Sequence, residues 1–369
     1  MPDDARLLGA VLVSLISVWV LTPLALRVAR RMAFYDHPVG YKAHPAPTAY
    51  LGGAAVIAGF LVAALPFGQG FTRFAPIAAC AVGLAVLGTL DDRFTVRPRY
   101  RIFCEVASAA VLWRSGLGWS FLDSEFEEFV LTSLWIVGFT NAFNLMDNLD
   151  GAASTVGSVC AGGIAAQALI GGDAGLAAFA LALTGACLGF LRYNLRAGAP
   201  ARIFLGDGGS MPIGFIVAAA AMNIPVDEPL GWPVLLIGAL LLGVPILDTL
   251  LVVVSRTRRR VSVVTAGRDH LTHRLQTKLG SARAVAVCLA LAQGATSVFA
   301  IAAAQVGRTT IIVASLSCLA LGGAIVAVLE APAWATRHRE PPSRLPRHGS
   351  GRGTTRTARG GVRRIDRGR

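Results

Sequence analysis

The stretch NAFNLMDNLDG sets Asn141, Asn144, Asp147 and Asp150 at every third position of an otherwise apolar run. A carboxylate at bilayer depth costs about 2.5–3.5 kcal/mol, so two of them point to a bound ligand. Steps of three drift by about 60° around a helix. Asn141, Asn144 and Asp147 therefore share a broad face, and Asp150 swings away unless the helix ends at Gly151. Asp91 and Asp92 are adjacent in LGTLDDRF. Their repulsion raises one another's pKa unless a cation lies between them. Asp207 sits among Gly206, Gly208 and Gly209, just before an apolar run. Glycines admit a ligand close to the backbone and a helix start suits phosphate. An acid there opposes an anion unless it holds a metal between them.

His270 and His273 lie three apart in RDHLTHRL, with Arg274 beside them and arginines 256, 258, 259, 260 and 268 before them. That spacing puts both imidazoles on one helix face. No cysteine is near, which argues against zinc, and the neighbouring arginines suit phosphate binding. Lys42 and His44, in GYKAHPAPTAYLGG, read as a rigid basic loop re-entering the membrane. Each cluster also has a bland reading: a solvated helix end, polar glue between helices, an N-cap, an interfacial basic loop. Asp248, within an apolar span, has no evident partner and stays peripheral. Acids without soft ligands select a hard cation, Mg²⁺ with Mn²⁺ as a substitute. Together these residues point to Mg²⁺-dependent phosphoryl transfer between a cytosolic nucleotide donor and a lipid phosphate or alcohol.

The elements that must position them are membrane helices. The chain has 369 residues, 54% hydrophobic and 15% charged, with a mean hydropathy of +0.60. Soluble domains carry about 25% charged residues. The apolar runs are continuous rather than alternating, which excludes a β-barrel. The six cysteines are scattered without a CxxC pair, so neither a zinc site nor a disulfide framework is signalled. The predicted fold is all-α, with about eleven spans: 7–28, 50–67, 74–90, 102–118, 127–146, 152–171, 174–191, 209–225, 232–254, 284–304 and 309–330. The first is too long for a signal-peptide core and reads as a retained helix.

With the N-terminus outside and the C-terminus cytoplasmic, all of the 34 Lys and Arg except Arg6, Arg73, Arg114 and Arg308 fall on the cytoplasmic side. Every unusual polar cluster then faces that side. A transporter would more often place polar groups at the midplane. The expected organisation is a transmembrane domain over 1–335 and a disordered basic cytoplasmic tail over 336–369. Basic segments attract anionic membrane lipids. No helical reader or aromatic interleaving supports nucleic-acid binding.

The ordered motifs DHPVGYKAH, LDDRF, NAFNLMDNLDG, GFLRYN, FLGDGGS, PILDT and DHLTHRL span about residues 36–275. They resemble the polyprenyl-phosphate N-acetylhexosamine-1-phosphate transferase family. That family includes the UDP-GlcNAc:undecaprenyl-phosphate GlcNAc-1-phosphate transferases and the phospho-N-acetylmuramoyl-pentapeptide transferase of peptidoglycan synthesis. The resemblance implies transfer of a sugar-1-phosphate from a UDP-sugar to polyprenyl phosphate with release of UMP. It implies a bacterial inner-membrane enzyme that starts a cell-envelope glycan. A homodimer stays open. By the same resemblance Asp91 and Asp92 match the catalytic acids, and Asp207, with Asp150, the Mg²⁺ ligands. Asn141, Asn144, Asp147, Asn194 and Phe204 match nucleotide-side groups, Phe204 as a stacking ring. Lys42, His44, His270, His273 and Arg274 match the remaining substrate contacts.

Three departures stand out. Asn148 replaces a frequent glycine, Thr272 a frequent histidine, and Pro47-Thr48-Ala49-Tyr50 the usual PTPR. An inside C-terminus after eleven spans fits the GlcNAc-1-phosphate branch better than the peptidoglycan branch. The alternatives are that peptidoglycan transferase, a CDP-alcohol phosphatidyltransferase and a multispanning transporter.

Overall fold

The computed structural model describes residues 3–37, 47–68, 72–226, 231–263, 267–331 and 334. Lys42, His44 and the tail from Thr336 lie outside them. Two short strands, β1 (Tyr35–Asp36) and β2 (Thr48–Ala49), accompany helices α1 (Asp3–Arg31), α2 (Gly52–Phe67), α3 (Ala75–Phe94), α4 (Pro98–Arg114), α5 (Glu125–Met146), α6 (Ala152–Ile170) and α7 (Ala174–Asn194). There follow α8 (Asp207–Met222), α9 (Pro233–Leu241), α10 (Gly243–Arg258), α11 (Leu271–Leu279), α12 (Ala282–Val306) and α13 (Arg308–Leu329).

Among the described residues α1, α3, α5, α6, α7, α12 and α13 are long and apolar enough to cross a membrane, and the bent pair α9–α10 would bring the spans to 8. The predicted segments are helical, but α2 and α8 are shorter apolar helices, and α4, read as the span 102–118, is not among the helices long and apolar enough to cross. The segment 232–254, read as one span, is broken by 84° at Leu242. Pro245 is the cause in the sequence: it removes the N–H that would bond the Leu241 carbonyl. Gln293 of α12 repairs the gap. Its Oε1 accepts from Val244 N at 2.9 Å and its Nε2 donates to Leu241 O at 2.9 Å. Backbone freed inside an apolar bundle needs such a partner.

α8 is the centre of the bundle. Every residue from Gly208 to Met222 is buried, as expected of a helix apolar all round. It packs against α2, α3 and α5. Two glycines set the approach: a Cβ on Gly53 would lie 2.2 Å from Gly209 N, and one on Gly88 would lie 2.3 Å from Asp207 O. These contacts seat the start of α8 against α2 and α3. β1 pairs antiparallel with β2, Tyr35 with Ala49 and Asp36 with Thr48. Ala49 bridges in parallel to Ile203, so residues 203–205 run beside β2 into α8.

Candidate active site

Four chain segments meet at the start of α8. Gly206, at φ 71°, turns the chain into the helix, a conformation glycine adopts without penalty. The N–H groups of Asp207 and Gly208 are helix-start donors, and both reach Asp92, at 3.0 and 3.2 Å. Asp91, one residue earlier, accepts from Val96 N at 2.6 Å. Between them Thr95 ends α3 at φ 55°, a strained position for a β-branched residue. That turn brings α4 back across the site. Pro98 opens α4, and Arg101 in its first turn points at the acids. One Arg101 nitrogen donates to Asp91 at 2.6 Å and Asp207 at 3.1 Å; the other donates to Asn144 Oδ1 at 2.9 Å. The amide of Asn144 donates onward to Asp207 Oδ1 at 2.7 Å.

Asp91, Asp92, Asn144 and Asp207, named from sequence on three helices, are thus one hydrogen-bonded cluster. Asp147, just past the end of α5, stands beside it. Burial first, and then the charges of Asp207, Asp92 and Asp150, push its carboxyl well above the usual range. Asp150 lies at the outer edge of the same turn, where it accepts from Ala201 N at 3.3 Å. Asn141 sits one turn behind, donating to Glu105 of α4 at 2.6 Å. Phe204 is half-buried on the segment beside β2, its ring 6.3 Å from Tyr50 in an edge-on pair.

The histidine segment joins this cluster through an unexpected contact. Thr272 of α11 donates its hydroxyl to Asn148 Oδ1. Both are departures from the family pattern, and they touch. His270 Nδ1 lies 2.9 Å from Asp248, which also accepts from Leu271 N at 2.7 Å. Asp248 therefore has its partner, and His270 is fixed by it. His273, on the same face, is pushed down to about 4, first by burial and then by Arg268 and His270. Asp269 pairs with Arg256 at 3.1 Å and Arg259 at 2.6 Å. Burial would raise its carboxyl; these arginines outweigh that and hold it low.

Two residues expected at the substrate serve the scaffold instead. Arg274 is buried and turned toward α13. It donates to Glu330, Leu329 O, Ser255 Oγ and Asp269 O. Asn194 is buried with both amide groups engaged, accepting from Gly151 N at 2.6 Å and donating to Ile203 O at 3.0 Å. A buried polar group needs such partners, and these lie in parts of the chain far away in sequence. Lys42 and His44 lie outside the described residues.

Arg101 is the residue that the clusters alone did not single out. It stood in a row of arginines after Asp91-Asp92 that suits any interfacial loop. Its signal was its place in the first turn of the helix that follows those acids. Glu105, one turn on, was missed although an acid inside the predicted span 102–118 was itself a signal.

The donor set at the cluster is all oxygen, which suits a hard divalent cation. Among the described residues no three His, Cys, Asp or Glu side chains close on one point. Magnesium does not require that, since it binds by one or two carboxylates and takes its other ligands from water and substrate phosphates. Arg101 already bridges Asp91 and Asp207, so the pair favours positive charge.

Residues 74–224 match the model of glycosyl transferase family 4. The chain is also 32% identical over 280 residues to a probable undecaprenyl-phosphate N-acetylglucosaminyl 1-phosphate transferase of Bacillus subtilis (strain 168), covering 73% of this chain and 77% of that protein. The chain belongs to this family. A decaprenyl-phosphate N-acetylglucosaminephosphotransferase of Mycobacterium tuberculosis (strain ATCC 25618 / H37Rv) is 32% identical over 67% of this chain and 70% of its own length. An undecaprenyl-phosphate alpha-N-acetylglucosaminyl 1-phosphate transferase of Escherichia coli (strain K12) is 27% identical over 75% and 80%. The matched region of family 4 takes in α3 to α8, and so the whole acid cluster.

Proposed function

We propose that this family 4 member transfers GlcNAc-1-phosphate from UDP-GlcNAc to a polyprenyl phosphate and releases UMP. The observation that carries the reading is the convergence of Asp91, Asp92, Asn144 and Asp207 at the start of α8, where Arg101 joins all but Asp92, and Asp92 holds the first N–H groups of the helix. The names of the curated relatives supply the sugar and the lipid class. In the reaction an oxygen of the lipid phosphate attacks the sugar-bearing phosphorus of the donor. A new P–O bond forms, the bond to UMP breaks, and UMP leaves with that electron pair.

Asp207 and Asp150 are the residues proposed to hold Mg²⁺, which when bound offsets the charge of the diphosphate. Arg101 supplies a second, permanent positive charge beside the same carboxylates. Asp91 and Asp92 are the proposed catalytic acids: Asp91 aims Arg101, and Asp92 fixes the start of α8. A carboxylate here can also take the remaining proton of the attacking phosphate. Asp147, held toward its neutral form, keeps the excess negative charge down. Phe204 offers a ring for uracil. His270 and His273 form the wall on the phosphate side, with Lys42 and His44 proposed to complete it. Asn194 and Arg274 act through the turns they hold.

In the proposed orientation the N-terminus is outside, the C-terminus is cytoplasmic, and about eleven segments pass through the inner membrane. The distribution of Lys and Arg supports it. The soluble donor then meets the cluster from the cytosol and the lipid acceptor from the inner leaflet.

The test is a donor panel. Purified protein with Mg²⁺, polyprenyl phosphate and UDP-GlcNAc should release UMP and yield a lipid heavier by GlcNAc-1-phosphate. Absence of UMP with every UDP-sugar in the panel would overturn the reading.

A further inference from the structure

A second basic site lies behind the acid cluster. A cavity of about 490 Å³ is lined by Leu191, Arg192, Leu195, Arg196, Ala197 and Arg283. Its volume lies in the ordinary range for a ligand pocket. Three of its six lining residues are arginines, and none is acidic. They come from two segments that meet only in the fold: the end of α7 with the turn after it, and the first turn of α12. Arg192 lies over the Trp19 ring at 4.9 Å, and Arg196 donates to Pro200 O at 3.2 Å. Among the described residues none of the three forms an ion pair with a carboxylate. Arg283 is the second residue of α12, where free helix N–H groups add to the attraction for an anion.

The surroundings state what kind of anion. Leu191 and Leu195 line the cavity itself. Above it Leu188 on α7 and Val287 and Leu291 on α12 are exposed large apolar residues. Leu188 lies one turn from Arg192; Val287 and Leu291 lie one and two turns from Arg283. A charged end with an apolar strip leading away matches an amphiphile better than a free ion. We infer that this cavity binds the phosphate headgroup of an anionic phospholipid, with its acyl chains along α7 and α12. Basic pockets between membrane helices are suited to such headgroups.

The site is placed to act on the acid cluster. Leu195 forms its wall and also closes on Gly151: a Cβ there would meet Leu195 side-chain atoms at 2.9 to 3.0 Å. Gly151 follows Asp150 directly. The lipid would brace the turn that carries Asp150 from its far side.

The test uses full-length protein in nanodiscs of phosphatidylcholine with a minority of phosphatidylglycerol. Native mass spectrometry reads the lipid retained after release from the disc. The wild type should retain one phosphatidylglycerol per chain. Arg192→Ala/Arg196→Ala/Arg283→Ala should retain it about 100-fold less tightly, from three lost charges at the membrane surface. A charge-matched control, Arg363→Ala/Arg364→Ala/Arg367→Ala, should retain it like the wild type. Equal loss in the two variants would overturn the site, since it would make the binding diffuse. Displacement by excess inorganic phosphate would also overturn it, since the pocket would then take a free anion. Displacement by polyprenyl phosphate would assign the pocket to the acceptor and overturn the phospholipid. A folding defect is recognised separately, by loss of the monodisperse peak and of helical circular dichroism.

Discussion

The start of α8 and the segment around α11 are both dense in charge, yet they are built in opposite ways. At α8, Asp91 and Asp207 share one guanidinium, Arg101, while Asp92 is held by the backbone N–H groups of Asp207 and Gly208. At α11 each acid meets its own base: Asp269 has Arg256 and Arg259, Asp248 has His270, and Glu330 has Arg274. The second region is closed on itself and holds α10, α11 and the end of α13 together. The first carries more carboxylates than cations, an excess relieved by a proton, as at Asp147, or by an arriving cation. Polar groups partnered within the fold mark a braced wall here, and carboxylates left over mark the reacting centre.

The largest expected effect breaks the open region. Asp207→Asn should lower UMP release about 10³-fold, in the range of losing one preorganised electrostatic group. The protein should still insert and migrate as the wild type. Turnover at the wild-type rate would remove Asp207 from the metal role. Next comes the guanidinium. Arg101→Ala should cost about 100-fold in kcat. Arg101→Lys should restore little of it, because one ammonium cannot span two carboxylates and the Asn144 amide. Full rescue by lysine would reduce Arg101 to a point charge.

The third prediction tests the seam between the two regions. Asn148→Gly and Thr272→His, singly and together, form a double-mutant cycle in kcat/KM. Residues in contact couple by about 0.5–3 kcal/mol, so the double variant should recover much of what either single loses. Strict additivity would mean that the two departures are unrelated.

The closed region should respond in stability rather than in chemistry. Glu330→Gln removes the carboxylate partner of Arg274. It should lower the melting temperature by several degrees while leaving the KM for the donor unchanged. A raised KM at unchanged stability would put Arg274 at the substrate after all. The smallest effect concerns pH. His273 titrates near 4 in the folded protein against an ordinary 6.5. Between those values the unfolded chain binds the proton and the folded one does not, so stability falls as pH drops through that window. His273→Gln should flatten the fall, seen as a smaller change in melting temperature between pH 7 and pH 4.5 (roughly the span of the titration).

The acid cluster was legible in the sequence because polar residues stand out in apolar helices. Asp91, Asp92, Asn144 and Asp207 could be named before their distances were known. Arg101 could not, since one more arginine in a segment expected on the cytoplasmic side follows from the charge bias alone. Asn194 and Arg274 show a different limit. Their residue types suited a phosphate or a nucleotide, but the partners that bury them, Gly151, Ile203, Leu329 and Glu330, are set by how distant segments pack. The contact between Asn148 and Thr272 joins positions 124 apart, and each alone looked like a private departure. The break at Leu242 was readable in principle: Gly243 and Pro245 announced it inside the span 232–254.

The central claim is that the excess carboxylates at α8 gather a divalent cation together with a diphosphate. Mn²⁺ titration followed by electron paramagnetic resonance tests this directly, because free and bound ion are counted separately. Wild-type protein with UDP-GlcNAc should bind one Mn²⁺ per chain, and Asp207→Asn should lose that ion under the same conditions. Equal binding by both proteins would contradict the account.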